Sequence, residues 1–143
     1  AGCPAVADPG AELVRLAHKN NIRIIPLVGP SSILLALMAS GLNGQQFAFN
    51  GYLPIESNAR ISKIIELEKL SISRNQTQIF IEAPYRNQKL LEQLVKTCSD
   101  STNLCIASHL TFSNEMVATR TIKEWNRSLP DINKIPTIFL LHG

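Results

Sequence analysis

A chain of 143 residues is long enough for one ordinary domain or two small lobes, and with 45% hydrophobic and 17% charged residues it builds a core rather than staying disordered. No run reaches the roughly 18 uncharged apolar residues that a membrane span needs; the nearest, Ile24 to Met38, is broken by Pro26 and by Gly29-Pro30. The net charge of +3 permits an RNA partner without demanding one, and three cysteines (Cys3, Cys98, Cys105) without a Cys-x-x-Cys pair, behind no signal peptide, suit a reducing cytoplasm.

The first residues, Ala1-Gly2-Cys3-Pro4, are small and turn-prone. Asp8 is the expected N-cap of a short helix with Pro9 at its first position and Leu13, Leu16 and Ala17 on one face. Ile22 to Val28 reads as a buried strand. Gly29-Pro30-Ser31-Ser32 is a tight turn, in which Pro30 sets the first helical turn and Ser31 or Ser32 caps it. The apolar run Ile33 to Ser40 then forms a helix ended by Gly41, a residue suited to a left-handed C-cap. The polar, glycine-rich stretch 41–46 marks a boundary between two lobes, residues 1–44 and 45–143.

Phe47 to Leu53 reads as a strand closed by Pro54. Ser57 or Asn58 opens the next helix, with Ile61, Ile64, Ile65, Leu67 and Ile72 as its apolar set. Thr77 to Ala83 is a strand, and Pro84 starts a helix carrying Leu90, Leu91, Leu94, Val95 and Cys98 at helical spacing. Leu104 to Ala107 is a strand; Ser113-Asn114-Glu115 turns the chain into a returning antiparallel strand at 116–119. Thr121 and Glu124 form a capping box that opens a short helix with Trp125, Pro130 ends it, and Thr137 to Leu141 is the last strand. This alternation predicts an α/β fold in which the second lobe has a mixed sheet flanked by helices.

The histidines (His18, His109, His142) are scattered, no serine sits in a nucleophile elbow, no metal-ligand cluster is apparent and no phosphate-binding glycine loop occurs. What remains is a set of small-residue turns at strand ends: Ala1-Gly2-Cys3-Pro4, Gly29-Pro30-Ser31-Ser32, Glu82-Ala83-Pro84 and Ile135-Pro136-Thr137. Such turns suit a nucleotide-like ligand held by backbone groups between apolar walls. Arg60, Lys63, Lys69 and Arg74 could form an RNA-facing stripe, though interleaved Glu66 and Glu68 fit a solvated face better.

Taken in order, these turns resemble the tetrapyrrole methylase superfamily of S-adenosylmethionine enzymes, and within it the bacterial ribosomal RNA small-subunit ribose 2′-O-methyltransferase family I. The matching residues are Ala1-Gly2-Cys3-Pro4 with Asp8-Pro9-Gly10, Pro26-Leu27-Val28-Gly29-Pro30-Ser31, Ser40-Gly41-Leu42, Phe47 to Pro54, and Glu82-Ala83-Pro84-Tyr85-Arg86. Two stretches depart from it. Ser108-His109-Leu110-Thr111-Phe112 stands where the family has Arg-Glu-Leu-Thr-Lys, and Lys134-Ile135-Pro136 where it has Lys-Gly-Glu. The departures put the RNA substrate in question more than the cofactor.

The resemblance implies the end of an N-terminal α/β lobe followed by a complete C-terminal lobe, with a further segment of family members lying upstream of Ala1. It implies S-adenosylmethionine as methyl donor in the cleft, touched by Ala1, Gly2, Cys3, Ser31, Ser32, Glu82 and Thr137, with Arg86 placed for substrate. No metal and no membrane are implied, and no catalytic base can be named; His109, a lone histidine at a strand end, is more often structural. The expected activity is ribose methylation of small-subunit ribosomal RNA by a cytoplasmic homodimer. The alternatives are methylation of a tetrapyrrole, or a cofactor-binding or dimerisation module without activity.

Overall fold

The computed structural model describes residues 2–143. Its centre is one five-stranded sheet. The strands are β1 (Phe47–Tyr52), β2 (Thr77–Ile81), β3 (Asn103–Ser108), β4 (Met116–Thr121) and β5 (Thr137–His142), in the order β1-β2-β5-β3-β4. The β1–β2 pair is parallel and every other pair is antiparallel. The expected mixed sheet and the returning strand after residue 115 are both present. β3 and β4 pair from Asn103 with Thr121 to Ser108 with Met116.

Both faces of the sheet are covered, and side chains alternate between them as a period of two requires. Phe80, Leu104, Ile106, Phe139 and Leu141 belong to the core under helices α3 (Ser57–Arg74), α4 (Asn87–Thr97) and α5 (Ile122–Trp125). Phe80 and Phe139 stack there with ring centroids 5.9 Å apart. Ile79, Cys105, Ala107, Ile138 and Leu140 face the opposite way, against Ile33, Ala36 and Leu37 of helix α2 (Ser32–Ser40). Burying Ile33 and Leu37 is worth about 1.5–3 kcal/mol each, which explains why this short helix lies on the sheet. The C-terminal end of α2 is also tied down: Thr119 Oγ1 in β4 donates to the Ser40 carbonyl at 2.6 Å. Gly41 ends α2 in the left-handed region, at φ 71°, as expected.

The structure corrects several expectations. Ile22 to Val28 is not a strand. Among the described residues no strand lies beside it, so its backbone forms no ladder, and Leu27 and Val28 are 87% and 107% exposed. Helix α1 (Ala11–Lys19) begins after Gly10, not at Pro9, and buries none of its residues. The Asp8 carboxylate accepts from the N–H groups of Ala5 and Gly10, at 3.2 and 2.8 Å, closing a turn that precedes the helix. Pro30 stands before the helix, whose N-cap is Ser31.

α3 is capped by Glu56 rather than Ser57 or Asn58. Its carboxylate accepts from Asn58 N and Ala59 N at 3.0 and 2.7 Å. Ile64 and Leu67 are buried, but Ile65 and Ile72 are exposed. Two charged residues take inward positions instead. Arg60 is buried, with Nε donating to Gln93 Oε1 and a terminal nitrogen donating to the Ile55 carbonyl. Glu68 accepts from Ser99 N and Thr102 Oγ1. Arg60 therefore cannot belong to a surface stripe. Pro84–Arg86 forms a separate 3₁₀ turn before α4, whose leucines and Val95 are buried as the spacing predicts.

Candidate functional site

A cavity of about 570 Å³ opens on the α2 side of the sheet, where β1, β2 and β3 end and β5 begins. Its walls are apolar (Ile33, Phe49, Ile81, Leu110 and Ile138 among them) and its polar groups are few. That combination, at this size, is what small-molecule sites have in common. The location follows from topology: α2 covers the middle of this face, and the strands run past its N-terminus. The first turn of α2, with Ser32 and Ile33, therefore borders the cavity.

Three of the site residues expected from the sequence line this cavity together: Ser32, Glu82 and Thr137. They are 50 and 55 residues apart along the chain, and the sheet brings them to one edge. The other expected residues lie elsewhere. Ser31 is buried as the α2 N-cap, and its carbonyl accepts from Leu35 N at 2.9 Å. Gly2 lines a smaller neighbouring hollow of about 320 Å³ that shares Ser32 and Leu110 with the main cavity. Gly2 has φ +88°, and a Cβ there would stand 2.3 Å from the Pro30 carbonyl oxygen, so only glycine permits this approach. Cys3 Sγ lies 3.5 Å from that same oxygen. Ala1 lies outside the described residues.

Glu82 is 4% exposed, and its two oxygens differ. Oε1 accepts from the Ala83 N–H at 2.7 Å and from the Arg86 guanidinium at 2.6 Å. Oε2 is buried without a hydrogen-bond partner among the described residues. A buried carboxylate oxygen left without a donor is costly, which marks it as a place where a ligand donor belongs. Arg86 does not line the cavity. Its hydrogen bond to Glu82 raises its pKa further, and its guanidinium lies 4.8 Å from the Tyr85 ring centre. Its only tie to the lining among the hydrogen bonds described is the one to Glu82.

The stretch that leads into Thr137 is fastened to the turn that follows Glu82. Lys134 N donates to the Pro84 carbonyl, and Asn87 Nδ2 donates to the Ile135 carbonyl, which also accepts from Thr137 Oγ1. Two hydrogen bonds thus tie the turns around Pro84 and Pro136 together. Sequence reasoning did not assign the apolar and aromatic walls: Phe49 and Tyr52 stand in a stretch that matches the family, and Leu110 and Phe112 in one that departs from it, but neither stretch was read as lining the site. Among the described residues no group of three or more His, Cys, Asp or Glu could hold a metal ion, and no helix is long and apolar enough to cross a membrane.

This sheet and its flanking helices have the fold of a solved methyltransferase. The crystal structure of the methyltransferase CobJ superposes with a TM-score of 0.63, covering 99% of this chain and 62% of that one, at 15% identity. No family model matches the chain. Its sequence is 32% identical over its whole length to the Ribosomal RNA small subunit methyltransferase I of Vibrio cholerae, and equally to that of Haemophilus influenzae, covering 49% and 50% of those proteins. The protein of the same name from Mesorhizobium japonicum is 36% identical over 86% of this chain and 40% of its own. The chain belongs to this methyltransferase family and spans about half the length of the curated relatives it matches.

Proposed function

We propose that the protein transfers methyl groups from S-adenosylmethionine to small-subunit ribosomal RNA, at a ribose 2′-hydroxyl, and that the cavity is part of the donor site. The observation that carries this reading is the meeting of Ser32, Glu82 and Thr137 on one cavity whose Glu82 Oε2 lacks a partner. The names of the relatives support the RNA acceptor. The likeness to CobJ supports the fold alone and does not favour a tetrapyrrole.

The residues present fit such a donor. Ser32 and Thr137 line the cavity, Glu82 Oε2 accepts from a hydroxyl or amine, and Ile81, Leu110 and Ile138 keep water from the site. When bound, the sulfonium supplies an already activated methyl group. The chain's own contribution is then alignment and a dry cavity rather than acid–base power. In this reading residues 1–44 belong to one lobe and 45–143 to the other, with α2 as the joint. The protein works in the cytoplasm as a homodimer, to which the exposed Leu27 and Val28 give apolar surface.

The test is Ser32→Phe in the full-length protein. Calorimetric titration with S-adenosylmethionine should show affinity falling more than tenfold, above about 1.4 kcal/mol, while the melting temperature holds. A large loss of stability with unchanged affinity in the folded fraction would remove the ligand role. Tritiated methyl transfer into small ribosomal subunits, compared with porphyrinoids, decides the acceptor.

A further inference from the structure

The cavity has a polar floor and an aromatic mouth. Glu82 and Thr137 are 4% and 6% exposed, whereas Tyr52 and Phe112, which line the same cavity, are 64% and 69% exposed. One open aromatic side chain needs no explanation; two at one cavity mouth, with His109 beside them, do.

Phe112 is held, not dangling. His109 and Thr111 both take left-handed backbone conformations, at φ 51° and 71°, which non-glycine residues adopt only under constraint. The constraint is a tight loop. Phe112 N donates to the His109 carbonyl at 2.9 Å, Glu115 N donates to the Phe112 carbonyl, and the Glu115 carboxylate accepts from Thr111 N at 2.6 Å. The His109 ring meets Phe112 edge to face, with centroids 6.5 Å apart. Most of the Phe112 ring nevertheless stays open.

The charge of the cavity narrows what can lie against that ring. No lysine or arginine lines it, and its one carboxylate, Glu82, is already paired with Arg86. A phosphate has no counter-charge there. A flat, uncharged heterocycle has a stacking surface and needs no ion partner.

We infer that the His109–Phe112 loop, with Tyr52 at the same mouth, is a stacking platform for an unpaired nucleobase of the RNA acceptor, and that Phe112 sets how tightly that base is held. The inference rests on the methyl-transfer reading above. Phe112 stands where the resembled pattern has a lysine, so this chain grips its acceptor through a ring face where the pattern offers a charge.

The experiment measures two affinities in the full-length protein and in Phe112→Ala, Phe112→Leu, Phe112→Tyr and Phe112→Lys. One is for a short single-stranded RNA, by fluorescence anisotropy; the other is for S-adenosylhomocysteine, by calorimetry. The Ala and Leu variants should bind the RNA about tenfold more weakly, within the range of one lost base–aromatic stack. Tyr should bind like the parent. Lys should not restore affinity near physiological salt and should steepen its salt dependence. S-adenosylhomocysteine affinity should fall less than RNA affinity in the Ala and Leu variants, since Phe112 stands at the open mouth of the donor cavity rather than on its buried floor. Unchanged RNA affinity in the Ala and Leu variants, or full rescue by Lys, overturns the platform while leaving the RNA reading standing. An equal fall in both affinities overturns it in favour of the donor's adenine as occupant. A parent protein that binds S-adenosylhomocysteine but no RNA or small subunit removes the RNA reading and the platform with it.

Discussion

Ile22 to Val28 and Thr77 to Ile81 are both short apolar runs, and they meet opposite fates. The second is β2, buried from Thr77 to Phe80 between β1 and β5, with both faces of its side chains in a core. The first lies outside any strand and largely exposed, with Val28 fully open. The residues are equally apolar; the difference is company. A strand is a relation between segments, since its N–H and C=O groups need a neighbour and its side chains need a covering layer. β2 has two neighbours and helices above and below, whereas the described residues supply none to Ile22 to Val28.

Thiol reactivity should divide most sharply along this line. Burial pushes the Cys98 thiol up to about 12, and Cys105 is raised by burial too, while Cys3 is half-buried near the surface turn. Since the thiolate is the nucleophile, alkylation at pH 8 followed by mass spectrometry should label Cys3 faster than Cys98 by on the order of a thousandfold. Comparable rates would mean that the sheet region opens as freely as the N-terminal one.

Stability should follow the same division. Phe139→Ala removes a fully buried ring and its stack on Phe80. Denaturant titration should show a loss of about 3–5 kcal/mol. Trp125→Phe should cost less, about 1–3 kcal/mol, because the Leu104 carbonyl loses the indole N–H that donates to it at 2.8 Å.

A weaker effect is expected at the α3 cap. The N–H groups of Ala59 and Asn58 hold the Glu56 carboxyl below its usual value. A depressed folded-state pKa means that the contribution is present above the unfolded value and lost as pH falls through the folded one. Glu56→Ala should therefore lower the melting temperature slightly at pH 7. The gap to the parent should narrow as the pH falls below the ordinary glutamate value of about 4.3. A gap independent of pH would show that the cap acts without its charge. Val28→Ser should do least, within about 0.5 kcal/mol, despite deleting a large apolar side chain. A substantial loss there would show that the segment is covered in solution and would erase the contrast with β2.

Where the chain's local chemistry was enough, the sequence could be read directly. Gly41 ending α2, the Thr121–Glu124 box and the turn before β4 each depend on a few adjacent residues, and each is present. What escaped depended on distant partners. Arg60 looked like surface until Gln93 and the Ile55 carbonyl gave its guanidinium somewhere to bond inside. Glu56 was passed over because a hydroxyl or amide stood next to it, although a carboxylate can reach two N–H groups at once. At the site, Ser32, Glu82 and Thr137 were legible as turn residues, while the aromatic mouth was not, because Tyr52 and Phe112 meet only through the sheet order.

That order has a consequence for how the molecule is made. β5 is last of the five strands in sequence, yet it stands in the middle, joining β2 to β3. Until it is synthesised, the chain holds two separate two-stranded ribbons, β1–β2 and β3–β4, and a two-stranded ribbon is marginal by itself. The pairing of β2 with β5 closes a loop of more than fifty residues, so the decisive contact is also a non-local one, of the kind that slows folding. Before it forms, the inner edges of both ribbons are open to other chains. Thr137 opens β5, so the cavity gains its last wall in the same event that seals the sheet: the chain cannot own this cavity before it owns a core.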